Sequence, residues 1–260
     1  MFDSGVGGLS VLRALRAELP HEDFVYVADT GFAPYGERDP GFVLQRARAI
    51  AHHLLTRTQG PIKALVIACN TATAAAIQVM RQDHPGLPII GVEPALKPAI
   101  AVSKTGQIAV MATRGTLGSD KFRTLLASLV GDAHFVCQPC DGLADAIEHQ
   151  DTSKVIALSQ EYIRAMGRFG HEDGEIDTLV LGCTHYPFIA RELLTLVAPG
   201  VQLVDNGEPV ARQTRRVLRS LANVDRMGQL WLESTGRGET LAQAAQSWLG
   251  WRGSVQSLPI

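Results

Sequence analysis

Two stretches decide the fold: Ala64-Leu65-Val66-Ile67-Ala68-Cys69-Asn70-Thr71 and Thr178-Leu179-Val180-Leu181-Gly182-Cys183-Thr184-His185. In each, a run of apolar, mostly branched residues ends at a small residue. A cysteine follows, then hydroxyl or amide side chains at an expected helix start. A continuous apolar run suits a strand buried on both faces. Each stretch therefore reads as a strand of a mostly parallel sheet covered by helices. The two stretches echo one another across the chain. Two copies of one α/β unit, facing each other, would bring Cys69 and Cys183 to opposite walls of one cleft.

Working outward, similar runs occur at 24–27, 108–111 and 201–204. Helical patterns fall between the strands, at 43–58, 71–82, 119–129, 153–166 and 208–221. Alternation of strand and helix places the chain in the α/β class. The polar residues after the strands, Asp29, Cys69-Asn70-Thr71, Thr113 and Cys183-Thr184-His185, collect at the carboxyl edge, where open α/β sheets bind ligands. Gly91-Val92-Glu93-Pro94 and Asp205-Asn206-Gly207 suit crossings between two lobes. The expected division is 1–91 plus 206–260 for one α/β lobe and 92–205 for the other, with mostly parallel sheets enclosing a site at the lobe interface.

Composition narrows the function. The chain has 260 residues, 46% hydrophobic and 19% charged, with a formal net charge of −2. That length and apolar content support a sizeable core. The near-neutral balance gives no expectation of a nucleic-acid or membrane partner. Arg212, Arg215, Arg216 and Arg219 read as one solvated helix face. No apolar run approaches the roughly 20 residues that span a bilayer, and no leader is visible at Met1-Phe2-Asp3. Four cysteines in such a chain do not read as a disulfide framework, so a cytoplasmic, reducing location is expected.

The paired cysteines carry the chemistry. A thiol between a strand end and a helix start feels the helix dipole, which is expected to lower its pKa from about 8.5. Asn70 and Thr71 can hydrogen-bond the sulfur or a bound carboxylate. Helix N-termini also favour anions. One thiolate can take a proton from carbon while a thiol on the opposite face returns one. That pair of steps inverts a stereocentre. Without a cofactor, the developing carbanion needs placed hydrogen bonds and exclusion of water.

The remaining candidates read more plainly. Cys137-Gln-Pro-Cys140 has redox or zinc spacing, but even with His134 a zinc site is one ligand short. Two thiols at a strand end and turn is the preferred reading. His52, His53 and His84 read as helix-surface or turn residues. The opening Ser4-Gly5-Val6-Gly7-Gly8 lacks the endings of nucleotide loops. It is expected to let backbone approach a small ligand, with Asp3 and Ser4 presenting side chains. Asp3 also reads as a cap for a helix from Leu9, Asp29 as a turn residue, and Glu148 as a solvated helix end.

Five motifs in order carry a resemblance. They are Phe2-Asp3-Ser4-Gly5-Val6-Gly7-Gly8-Leu9-Ser10, Ala28-Asp29-Thr30 with Pro34-Tyr35-Gly36, Ala68-Cys69-Asn70-Thr71-Ala72-Thr73, Gly91-Val92-Glu93-Pro94-Ala95, and Leu181-Gly182-Cys183-Thr184-His185-Tyr186-Pro187. Together they resemble the glutamate racemases, from residue 2 to the Val204-Asp205-Asn206-Gly207 segment. The resemblance implies cofactor-independent interconversion of L- and D-glutamate, with no metal, supplying D-glutamate for peptidoglycan. It implies that Cys69 takes the α-proton of D-glutamate and Cys183 that of L-glutamate. Asp3 and His185 would assist the thiols, with Glu148 and Asp29 acting more remotely. Implied substrate contacts are Asp3, Ser4, Tyr35, Gly36, Asn70, Thr71, Thr184 and His185, with Thr113 and Thr116 as further carboxylate contacts. Only Met1 and Phe2 precede Asp3, so no N-terminal activator-binding extension is expected. A homodimer is compatible with this reading, which does not fix the assembly.

Three other readings stay open. The first is a racemase of aspartate or hydantoins, and substrate assays separate it. The second is a binding protein without turnover, which would have no need of a thiol pair. The third is a thiol-disulfide enzyme, which would need an exposed, reactive Cys137 or Cys140.

Overall fold

The computed structural model describes residues 1–57, 60–129, 131–218 and 226–260. Its strands are β1 Phe2–Asp3, β2 Phe24–Ala28, β3 Leu65–Ile67, β4 Ile89–Gly91, β5 Gln107–Ala112, β6 His134–Pro139, β7 Thr178–Leu181, β8 Gln202–Val204, β9 Leu230–Ser234 and β10 Val255–Ser257. They form two sheets, ordered β10-β9-β2-β1-β3-β4 and β6-β5-β7-β8. The pairings in both sheets are parallel. Within the first sheet, β2-β1-β3-β4 repeats the order of the whole second sheet. The α/β architecture with two similar lobes is thus the one expected.

Burial of both sheet faces explains the continuous apolar runs. Val66 points into one core with Tyr26 and Ala28, while Leu65 and Ile67 point into another with Val27. In the second sheet Ile108 and Val110 face one core, and Ala109 and Met111 face the other. Alternate residues of one strand serve opposite cores, so neither face can be polar.

The chain leaves the first sheet after β4, and its next helix, Leu96–Val102, packs on β7 and β8. It returns after β8 through helix Gly207–Leu218, which packs on helix Leu9–Glu18. The stacked rings of Phe188 and Trp248, 4.1 Å apart, join the segment after β7 to helix Gly238–Leu249.

Helix ends differ from expectation where capping decides them. The helix expected from 43 begins at Pro40, because the Asp39 side chain accepts from the Gly41 and Phe42 amides and proline suits a first turn. It ends at Leu55, and the expected end, Thr58, lies outside the described residues. The helix expected from 119 begins at Asp120, because Ser119 is its cap. Arg219 and Leu221, placed on the helix expected at 208–221, also lie outside the described residues. β9 and β10 were not expected: β9 pairs with β2, remote in sequence, and β10 is a three-residue edge strand beside β9. Among the described residues no helix is long and apolar enough to cross a membrane.

Candidate active site

Ile67 and Leu181 end β3 and β7, and each cysteine stands two residues beyond. The shared strand order therefore puts Cys69 and Cys183 at equivalent places on two facing sheets. Ser4 and Thr113 repeat the relationship two residues past Phe2 and Met111, the partners of Ile67 and Leu181. All four line one cavity. Tyr35, Gly36, Asn70, Thr71, Glu148, Thr184 and His185 complete most of its wall. Lysine and arginine are absent from that lining among the described residues.

On the Cys183 side, His185 Nδ1 lies 3.7 Å from the sulfur, and its Nε2 is 2.6 Å from Glu148 Oε2. Burial lowers the imidazole pKa, but hydrogen bonds and charge from Cys183 and Glu148 outweigh it, so the net direction is well upward. That direction favours the protonated ring, held between a carboxylate and a sulfur. Glu148 also accepts from the Val6 amide at 2.9 Å.

On the other side, the Cys69 sulfur caps helix Asn70–Asp83 by accepting from the Ala72 amide at 3.4 Å. Ser4 Oγ lies 3.9 Å from it. Burial pushes this thiol well above its ordinary range, and the nearby Asp3 carboxylate adds to the rise. Asp3 is fully buried, and desolvation raises its pKa as well. Its Oδ2 accepts from the Gly8 amide at 2.5 Å and from Thr184 Oγ1 at 3.2 Å. Asp3 thereby ties the first sheet to the loop after β7.

Thr71 and Thr113 form the far wall, with Thr116 behind them. Thr71 and Thr113 hydroxyls lie 2.9 Å apart, and Thr113 donates to Thr116 at 2.9 Å. Tyr35 is held from behind, because its hydroxyl donates to Asp29. Asp29 also receives two bonds from Arg46, each 2.9 Å, and one from Thr235 at 2.8 Å. The Arg46 guanidinium in turn stacks over Phe32.

A model of the Asp/Glu/Hydantoin racemase family matches residues 9–214. The chain belongs to the Asp/Glu/Hydantoin racemase family. It is 48% identical over 220 residues to a glutamate racemase of Ectopseudomonas mendocina, covering 84% of this chain and 81% of that one. A solved glutamate racemase isoform of Bacillus anthracis superposes with a TM-score of 0.86 at 30% identity, over 100% of this chain and 96% of that one. The Escherichia coli glutamate racemase, solved with L-glutamate and the activator UDP-MurNAc-Ala, gives 0.84 at 29% identity, over 99% and 96%.

Within this racemase family member, several expectations need correction. The Cys69 thiol pKa is raised, not lowered, because desolvation outweighs one amide bond at a helix start. Cys183 is not followed directly by an α-helix; a 3₁₀ turn, Tyr186–Ile189, comes next. Glu148 is no solvated helix end: it is 6% exposed and bonds His185 directly. Asp29 is buried and acts on the cavity wall through Tyr35. Asp3 and Thr116 stand behind the cavity lining.

The glycine-rich opening also makes room for side chains. A Cβ on Gly5 would lie 2.3 Å from Glu148 Oε2, and one on Gly7 2.4 Å from His185 Nδ1. These glycines admit side chains of the second lobe. His53 is also more than a surface residue, since its Nε2 lies 2.7 Å from buried Glu233. Cys137 and Cys140 belong to different cores, and burial raises both thiols, Cys137 to about 11. Sequence reasoning missed Asp145 and Ala144 in the cavity wall. Their only signal is position, one turn or less before Glu148 on the short helix Leu143–Glu148.

Proposed function

We propose that this chain is a cofactor-independent glutamate racemase that inverts Cα by proton transfer between Cys69 and Cys183. One observation carries the reading: two cysteines at equivalent places on two facing sheets share one cavity with dissimilar supporting groups. The relatives it matches over most of their length are glutamate racemases. The product, D-glutamate, serves peptidoglycan synthesis. The four free thiols suit a reducing, cytoplasmic location.

With L-glutamate, the Cys183 thiolate takes the α-proton, breaking C–H and forming S–H. The electron pair passes into the α-carboxylate as an enediolate-like anion. The Cys69 thiol then gives its proton to the opposite face of Cα and is left as thiolate. With D-glutamate the roles reverse. The raised thiol of Cys69 suits it to hold a proton at rest. The imidazolium of His185, 3.7 Å from Cys183, stabilises negative charge on that sulfur. Asp3, behind Ser4 and Thr184, supports the Cys69 side.

Substrate carboxylates meet neutral donors. Asn70, Thr71, Thr113 and Thr184 can hold them, while Ser4, Tyr35 and Gly36 shape the wall. Lobe boundaries near 91 and 206 would let closure exclude water from the anion.

The test is incubation with L-glutamate, without added cofactor, followed by circular dichroism. In D₂O, deuterium should enter at Cα. Cys69→Ser and Cys183→Ser should each slow racemisation by about a hundredfold or more. Racemisation of aspartate or a hydantoin, with glutamate untouched, would replace the substrate. Full activity in either serine variant would sink the two-thiol mechanism.

A further inference from the structure

Two amides next to the cavity are left incompletely bonded. Asn70 is 4% exposed and lines the cavity, and among the described residues its Nδ2 has no partner. Its Oδ1 accepts from Asn206 Nδ2 at 3.4 Å. Asn206 is equally buried, and its own Oδ1 is also unpartnered among the described residues. Asn206 sits where the chain returns from the second sheet, between β8 and helix Gly207–Leu218. The turn holds it through two neighbours: its backbone carbonyl accepts from Val210 at 3.2 Å, and Asp205 Oδ1 accepts from the Gly207 amide at 2.8 Å.

An asparagine amide presents a donor on one side and an acceptor on the other. Whichever end of Asn70 faces Asn206, the opposite end is available to the cavity. A carboxylate substrate needs the donor there. A buried donor without a partner is costly, so it marks a place kept for a ligand's oxygen.

We propose that Asn206 is a positioning residue for racemisation: by donating to Asn70 Oδ1 it turns Asn70 Nδ2 toward the cavity, as donor to a substrate carboxylate. This rests on the amino-acid racemase reading above. It adds a residue outside the cavity lining, on the return crossing, that sets the polarity of one substrate contact. Both enantiomers carry the same carboxylates, so the contact serves ground-state binding of either.

Asn206→Asp is the decisive variant. A carboxylate only accepts, so it would draw Asn70 Nδ2 to itself and turn Oδ1 toward the substrate. The KM for L-glutamate should rise about tenfold or more, with kcat within about threefold. Asn206→Ala, which leaves Asn70 free to turn, should raise KM by a smaller factor and also substitutes if the aspartate variant does not fold. Kd for D-glutamate by calorimetry should follow KM. KM and Kd within twofold of wild type in the folded variant would overturn the inference. So would an equal loss in kcat with KM unchanged. Wild-type protein that binds glutamate without racemising it would overturn the functional reading alone, and the Kd comparison would still decide this one. Wild-type protein that neither binds nor racemises glutamate would overturn both.

Discussion

His185 is clasped at both ring nitrogens: Nε2 lies 2.6 Å from Glu148, and Nδ1 lies 3.7 Å from Cys183 Sγ. The imidazole is buried, and burial alone would strip its proton. The charge of Glu148 helps to keep it there. The relation resembles the base-and-orienter logic of nucleophilic enzymes, used here for carbon acid chemistry.

Glu148→Gln removes the charge and keeps an acceptor. Part of what opposes burial is then lost, and the His185 pKa falls. Activity that needs the imidazolium should fade at lower pH. We expect the alkaline limb of kcat/KM to move down by about one pH unit or more, and kcat at pH 8 to fall about tenfold to a hundredfold. A pH–rate profile of both proteins checks this. An unmoved limb would mean that Glu148 only packs.

Asp3→Asn should stabilise the protein while slowing it. The sign follows from the raised pKa of Asp3. A carboxyl that holds its proton more tightly when folded costs stability as pH rises above the unfolded value of 3.8 and through the folded one. Asparagine removes that cost and keeps an acceptor for Gly8. Thermal melting at pH 7 should rise by a few degrees, with kcat lower. A lower melting temperature would contradict the account.

Arg46 lies behind the cavity, paired through two bonds to fully buried Asp29. Arg46→Ala leaves that carboxylate without its cation and should cost about 3–5 kcal/mol in urea unfolding. Arg46→Lys returns the charge without the fork and should recover only part of the loss. In both, Tyr35 loses its rigid anchor, and KM should rise more than kcat falls.

Gly7→Ala tests the close approach of the two lobes. The added methyl would meet His185 Nδ1 and Thr184 Oγ1. Overpacking of this kind costs about 1–3 kcal/mol, and the displaced imidazole should lower kcat about tenfold or more. Gly86→Ala, where a Cβ meets nothing within 4 Å among the described residues, is the control.

The sequence made some of this legible and hid the rest for physical reasons. β7 fell where expected, because Thr178-Leu179-Val180-Leu181 is apolar on both faces and ends at glycine. The echo around the cysteines showed two equivalent units, since strand, small residue and thiol recur in one order. β9 was hidden because its pairing with remote β2, not its local pattern, makes it a strand, and β10 because it is a short edge strand that forms only beside β9. Thiol acidity was misread at Cys69, because the helix start is visible in sequence and the depth of burial is not. Glu148 was placed at a distance, although it bonds His185 directly. Sequence separation of 37 residues says nothing of a direct contact made in the cavity wall. Gly5 and Gly7 declared their freedom but not what would occupy the space.

The unequal support of the two cysteines, a carboxylate behind one and an imidazolium beside the other, has a thermodynamic consequence. Enantiomers have equal free energy in water, so the overall equilibrium constant is one whatever surrounds the thiols. The ratio kcat/KM must therefore be identical for L- and D-glutamate. Asymmetry between Asp3 and His185 can only move kcat and KM together, by the same factor, between the two directions. The forward and reverse turnover numbers thus gauge how unequally a nearly symmetric scaffold has been furnished.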